Sequence, residues 1–132
     1  MLRTFIQISF IIFVLEGCQQ DVKNHRLEYE IQNSLKENDN PNVLKLDTVS
    51  QFQWDTLVLL KPYSSIENLE ESLNLDFSNV RGKFQHYDEY LGIAFFNKGK
   101  CVSFIELVRN FEVEDQEKIL YKKEDSIIKI KM

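Results

Sequence analysis

The sequence predicts an α+β domain, a small and mostly antiparallel sheet with one packed helix, preceded by a signal peptide and a polar tether. Three observations carry that expectation. Two apolar runs, YLGIAFFN and CVSFIELV, flank Asn97-Lys98-Gly99-Lys100, the pattern of a hairpin. One short segment with a capping residue and apolar positions at helical spacing follows the first strands. Near the end, Ile128 and Ile130 alternate with Lys129 and Lys131, as in a strand with one wet face. The order strand, strand, helix, strand pairs places the helix against one face of an antiparallel sheet.

Taken in order, residues 43–49 read as a first strand. Residues 52–60 are a second apolar run, with Trp54 near its start. Lys61-Pro62-Tyr63 stops it, because proline has no amide hydrogen to give to a ladder. Ser64 begins a helix with Glu67 as its capping-box partner, and Ile66, Leu69 and Leu73 fall on one side over residues 65–73. Residues 76–88 are irregular. The run at 90–97 is apolar at nearly every position, so it is expected to be covered on both faces. The run at 101–108 returns as its hairpin partner. Residues 119–122 and 126–131 read as a second hairpin, whose last strand is a half-exposed edge with lysines that discourage further pairing.

The start of the chain differs in kind. Arg3 precedes FIQISFIIFVL, Phe5 to Leu15, an apolar stretch of 11 residues. As a helix it measures about 16 Å, roughly half of a hydrocarbon core. Length and layout match an export signal rather than a permanent span. Leu15 at −3 fits ordinary signal peptidase badly. Leu15-Glu16-Gly17-Cys18 resembles the bacterial lipobox, although its −2 position is usually small and is Glu16 here. That resemblance implies cleavage between Gly17 and Cys18 and a thioether diacylglycerol on Cys18. Residues 1–17 are then a lipoprotein signal peptide, 18–42 the lipidated cysteine with a polar tether, and 43–132 the α+β domain. Within the tether, Leu27, Ile31 and Leu35 recur every four residues, so residues 26–37 form either a thinly amphipathic helix or solvated coil. Gln19 in place of Asp favours an outer membrane where the cell has one, and the protein is expected on the cell membrane or outer membrane, facing periplasm or exterior.

Composition limits the functions. The chain has 132 residues, one domain by length. Its net charge of −5, with basic residues scattered among acids, argues against nucleic acid. With Cys18 taken by lipid, Cys101 has no disulfide partner, and a buried, inert thiol is its expected state. His86 lies among polar residues without the orienting partner that a general base requires or the further ligands that zinc requires. The acidic run at 112–117 lacks the alternating ligands and central glycine of a calcium loop. No metal site, cofactor or catalytic residue is expected, and the chain reads as a non-enzyme.

Trp54, Asp55, Pro62 and Tyr63 are the most distinctive residues. Either Trp54, Asp55 and Tyr63 belong to a binding patch, or Trp54 fills the core, Asp55 satisfies backbone amides, and Pro62 and Tyr63 shape the strand-to-helix corner. Phe52-x-Trp54-Asp55-x-Leu57 with Pro62-Tyr63, a downstream helix, a hairpin with its Gly-Lys turn and a later Arg109 is similar to a pattern in small, uncharacterised bacterial lipoproteins. The similarity covers about residues 52–111. It implies the address and the fold and brings no activity. The expected function is a membrane-anchored binding or accessory module for a protein or other envelope component, with an exposed sheet edge and a helix face as contact surfaces. The alternative is an immunity or inhibitor protein whose acidic surface meets a basic toxin or envelope enzyme.

Overall fold

The computed structural model describes residues 22–38, 41–61, 64–81 and 90–131. In chain order the elements are helix α1 (His25–Glu37), strands β1 (Val43–Lys45) and β2 (Thr56–Leu60), helix α2 (Ile66–Leu73), strands β3 (Tyr90–Asn97), β4 (Lys100–Val108), β5 (Glu112–Val113) and β6 (Leu120–Lys122), a 3-10 turn (Lys123–Asp125), and β7 (Ile127–Lys131). The strands make two antiparallel sheets, of order β4-β3-β2-β6 and β1-β7-β5. The α+β class is as the sequence predicts.

The four-stranded sheet is the middle layer. Every residue from Leu57 to Leu60 and from Leu91 to Phe96 is buried, so the uninterrupted apolar runs are those of strands covered on both faces. Leu57, Leu59, Leu91, Ile93, Phe95, Ile105 and Leu107 face the three-stranded sheet and α1. Val58, Leu60, Ala94, Phe96, Cys101 and Phe104 face α2 and Phe77 and Val80 of the following loop. Burial of a phenylalanine or leucine stabilises by about 1.5–3 kcal/mol, so these two layers supply most of the driving force for folding.

Two local devices set the hairpin. Lys98 and Gly99 both have positive φ, the conformation a two-residue loop needs to match strand twist. Between Phe95 and Phe96 the register shifts, leaving Val102 as an extra residue opposite them. That bulge puts Cys101 and Phe104 on the same face although they stand three apart.

Several expectations are corrected. Residues 22–38 are not a tether. They belong to the folded body, because Leu27 is buried in the core and Ile31 and Leu35 pack against it. The cap of α2 is Ser65, which accepts from the Asn68 amide. Ser64 instead commits its N–H to the Lys61 carbonyl, one residue too early to cap. Asn74 closes α2 in the left-handed conformation, its N–H on the Glu70 carbonyl. The second hairpin does not form. Strand β6 pairs with β2, and the 3-10 turn carries the chain across to the other sheet. Strand β7 is accordingly the centre of the three-stranded sheet, not an edge. Its alternation holds: Ile128 and Ile130 are buried, while Ile127, Lys129 and Lys131 face out.

Candidate functional site

The site is built on the outer edge of β4, where neighbouring segments take up the strand's outward amides in turn. Cys101 N–H donates to the Asp76 carbonyl, and Phe104 N–H to the Val22 carbonyl. Residues 22–24 run parallel to β4 there, and Asn24 returns a bond from its N–H to the Phe104 carbonyl. Asn24 then caps α1, its side chain accepting from Leu27 N–H at 3.0 Å. Helix α1 starts beside the strand and runs along it. Glu28 Oε2 accepts from Glu106 N–H at 3.0 Å, and Gln32 Oε1 accepts from Val108 N–H at 2.9 Å. The spacing makes this work: four helical residues rise about 6 Å, close to the two-residue repeat of a strand. Helix side chains thus stand in for the missing neighbouring strand. The edge of the four-stranded sheet is therefore closed along β4.

Behind these bonds lies a half-buried charge cluster. Lys23 Nζ lies 2.9 Å from Glu28 Oε2 and 3.0 Å from Glu106 Oε1, and it sits 5.1 Å from the centre of the Phe104 ring. Glu106 is only 7% exposed. A carboxylate so placed requires a charged partner, because desolvation without one costs several kcal/mol. In this cluster both glutamates serve the architecture: they hold Lys23, and Glu28 also holds the strand amide.

In front of the cluster, His25, Glu28, Tyr29 and Gln32 of α1 meet Tyr90, Glu106 and Val108 across an open cleft of about 380 Å³. Parity explains the composition. Glu106 and Val108 lie on the α2-bearing face of β4, and Tyr90, paired with Val108, lies on the same face of β3. Tyr29 is 68% exposed and Val108 47%. Exposed aromatic and apolar surface beside amide and imidazole groups is the chemistry of a binding cleft, with an anchor ring and polar groups that fix orientation. Two further hollows are lesser candidates. One, of about 230 Å³, lies between the sheets and includes Glu114, Asp115, Asp125, Lys118 and Tyr121. Burial, and after it the nearby Asp115, pushes the Tyr121 phenol above its usual value. The other, beside Lys61 and Arg109, holds about 40 Å³, little more than a water.

The residues singled out by sequence scatter. Trp54 is in the core, its indole N–H on the Val49 carbonyl at 2.8 Å and its ring edge-on to Phe95. Of the two readings of Trp54 the core one holds and the surface-anchor one is corrected, since the ring faces inward. Asp55 is exposed, but its carboxylate accepts from Lys98 N–H and from the Thr56 hydroxyl. It stitches β2 to the hairpin turn. Gly17, Cys18, Pro62, Tyr63 and His86 lie outside the described residues. Cys101 is buried beside Phe104. The acidic run is β5 followed by a turn in which Asp115 accepts from the amides of Glu117 and Lys118. Among the described residues no three His, Cys, Asp or Glu are placed to hold a metal, and no helix is long and apolar enough to cross a membrane.

Sequence reasoning missed His25, Glu28, Tyr29, Gln32, Tyr90 and Glu106 as a group. The only signal was the i, i+4 spacing of Glu28 and Gln32 beside the apolar stripe, which by itself reads as a solvated helix face. Comparison with protein families, with curated proteins and with solved structures finds no match to this chain.

Proposed function

We propose that this chain is a lipoprotein of the bacterial cell envelope, cleaved after Gly17, anchored through lipid on Cys18, and serving as a non-enzymatic binding module. The observation that carries the reading is the 11-residue apolar leader after Arg3, too short to span a bilayer and ending at Leu15-Glu16-Gly17-Cys18. Two or three acyl chains hold a protein on a membrane effectively permanently, where one binds reversibly. The α1–β4 cleft, with Tyr29 as its most exposed ring, is the proposed contact surface for a protein or other envelope component. The carboxylates beside it are engaged by Lys23 and by a strand amide, which suits a fixed frame for binding more than acid–base chemistry.

The anchor is tested by fatty-acid labelling and fractionation of cells making the protein. Label and membrane retention are expected in the native chain and lost in Cys18→Ala, and unchanged fractionation of the variant would remove the lipoprotein reading. The cleft is tested by photo-crosslinking in living cells, with a reactive residue at Tyr29 or at Ser72 on the exposed side of α2. Adducts are expected from position 29 alone.

A second reading has its own observation. Glu114, Asp115 and Asp125 bring three acids against Lys118 and Lys129 to the hollow between the sheets, a net acidic surface for a cationic partner such as a basic toxin or enzyme. Charge reversal at Glu114 and Asp115 would abolish that association and leave a partner of the Tyr29 cleft bound.

A further inference from the structure

At one end of the four-stranded sheet the core stops at two cations. Leu57 and Leu59 of β2 and Ile105 and Leu107 of β4 face the three-stranded sheet. Two residues further on, strand parity sets Lys61 and Arg109 on that same face, with Leu91 of β3 between them. Phe111 and Val113, at β5, close over this row, and the five residues with Gln116 line a hollow of about 40 Å³. Its floor is apolar, since Leu91, Phe111 and Val113 are buried in the core.

The rim is charged and partly fixed. Lys61 Nζ donates to the Gln116 carbonyl, and the Gln116 side-chain amide donates to the Val113 carbonyl. An ammonium has three hydrogens and a guanidinium five, so one bond to Gln116 leaves donors on both cations. Among the described residues neither Lys61 nor Arg109 stands within ion-pair distance of a carboxylate. The acids of the neighbouring stretch turn elsewhere. Glu112 and Glu114 flank the inward Val113, and Glu112 stands opposite Lys131. The Asp115 carboxylate accepts from the amides of Glu117 and Lys118, and none of these four acids lines the hollow.

We propose that Lys61 and Arg109 bind a carboxylate borne on a small aliphatic group, either a short branched acid or the free end of a peptide chain closing on leucine. The two carboxylate oxygens match the guanidinium fork, and the ammonium takes a further lone pair. The aliphatic tip enters the hollow against Leu91, Phe111 and Val113, where removal from water favours it. A cavity of this size admits the tip of a small side chain and not an aromatic ring. A phosphate fits worse, because it would press oxygens onto a floor with nothing to donate to them.

The test is protection of Arg109 from phenylglyoxal, read by mass spectrometry on the full lipidated chain in nonionic detergent. Arg26 and Arg81, paired with Glu30 and Glu70, report bystander effects in the same molecule. Isovalerate probes for a free acid and N-acetylleucine for a chain end, with their neutral amides as controls. Either acid is expected to slow modification of Arg109 by about twofold or more above its dissociation constant, with Arg26 unchanged. The better protector names the source. Lys61→Gln should remove the protection and Lys61→Arg should keep it. Lys61→Met, which keeps an apolar stem beside the floor, replaces the first variant should it fold poorly. Absent protection, equal protection by acid and amide, phosphate protecting as well as isovalerate, or protection that survives loss of the Lys61 charge overturns the proposal. None of these outcomes bears on the anchor, or on the Tyr29 cleft across the opposite face of β3 and β4.

Discussion

The two sheets are built by different means. Strands β2 and β3 are apolar at nearly every position and lie between two layers of side chains. The three-stranded sheet alternates, with Leu44, Val113, Ile128 and Ile130 turned inward and Val43, Lys45, Ile127, Lys129 and Lys131 outward. In the first, each position is fixed by packing on its own side. In the second, half the positions need only be compatible with a strand. The molecule's tolerance to change should therefore differ sharply between the sheets, and its edges should differ as well. The outer edge of β4 is closed by α1 through hydrogen bonds that no other strand supplies.

The widest gap is expected between Phe95 and Ile127. Phe95 is fully buried and meets the rings of Phe52 and Trp54 edge-on. Phe95→Ala should cost about 3–5 kcal/mol, as deletion of a buried aromatic leaves a cavity. Ile127 is 47% exposed, and Ile127→Thr should stay within about 0.5 kcal/mol. Urea unfolding of both variants measures the gap, and equal losses would break the contrast between the sheets.

The next effect belongs to the closed edge. Lys23→Met removes the cation shared by Glu28 and Glu106. A loss of about 2–4 kcal/mol is expected, because an almost buried carboxylate loses the cation 3.0 Å from it. Glu106→Gln in the same background should recover much of it, and a double-mutant cycle reads the coupling. Additive losses would mean that the cluster is not a unit.

A smaller loss is expected from Asn24→Ala. Asn24 both caps α1 and donates from its side-chain amide to the Ser103 hydroxyl at 3.1 Å. Removing a helix cap costs about 1 kcal/mol, with fraying of α1 visible as faster amide exchange at Leu27. The smallest effect lies at the turn end. Hydrogen bonds from Ser78, first its hydroxyl and then its amide, hold the Asp76 carboxyl below its ordinary value of 3.8. A carboxyl depressed in the folded state contributes stability that is complete above 3.8 and drains as pH falls through the lower folded value. Ser78→Ala should lower stability slightly and by a constant amount above about pH 5 and flatten the fall on the acid side, so that urea unfolding curves of native and variant converge at low pH.

How much of this was legible follows from where the information sits. The hairpin of β3 and β4 was readable because burial on both faces writes itself as an unbroken apolar run, and Lys98-Gly99 marks the turn. The pairing of β6 and β7 was not. Residues 119–122 and 126–131 are short and close in sequence, so a hairpin is the local expectation. The chain instead divides them between two sheets, where Tyr121 packs beneath β2 and Ile128 beside Leu44. Helix α1 was half legible. Leu27, Ile31 and Leu35 gave its face, yet a thin stripe in a polar stretch does not say whether anything covers it. The candidate cleft was hardly legible, because its residues come from α1, β3 and β4 and have no common motif.

By itself the sequence determined the α+β class, the central hairpin, the α2 segment and the alternation of β7, each set by the period of its own apolar residues. It also holds the leader and Cys18, on which the proposed address rests. Only the tertiary structure decided that residues 22–38 belong to the domain, that Trp54 faces inward, and that Glu28, Gln32 and Lys23 close the edge of β4. These depend on contacts between residues as far apart as Lys23 and Glu106. Periodicity along a chain reports which face of an element is apolar, and only the folded chain selects what covers that face.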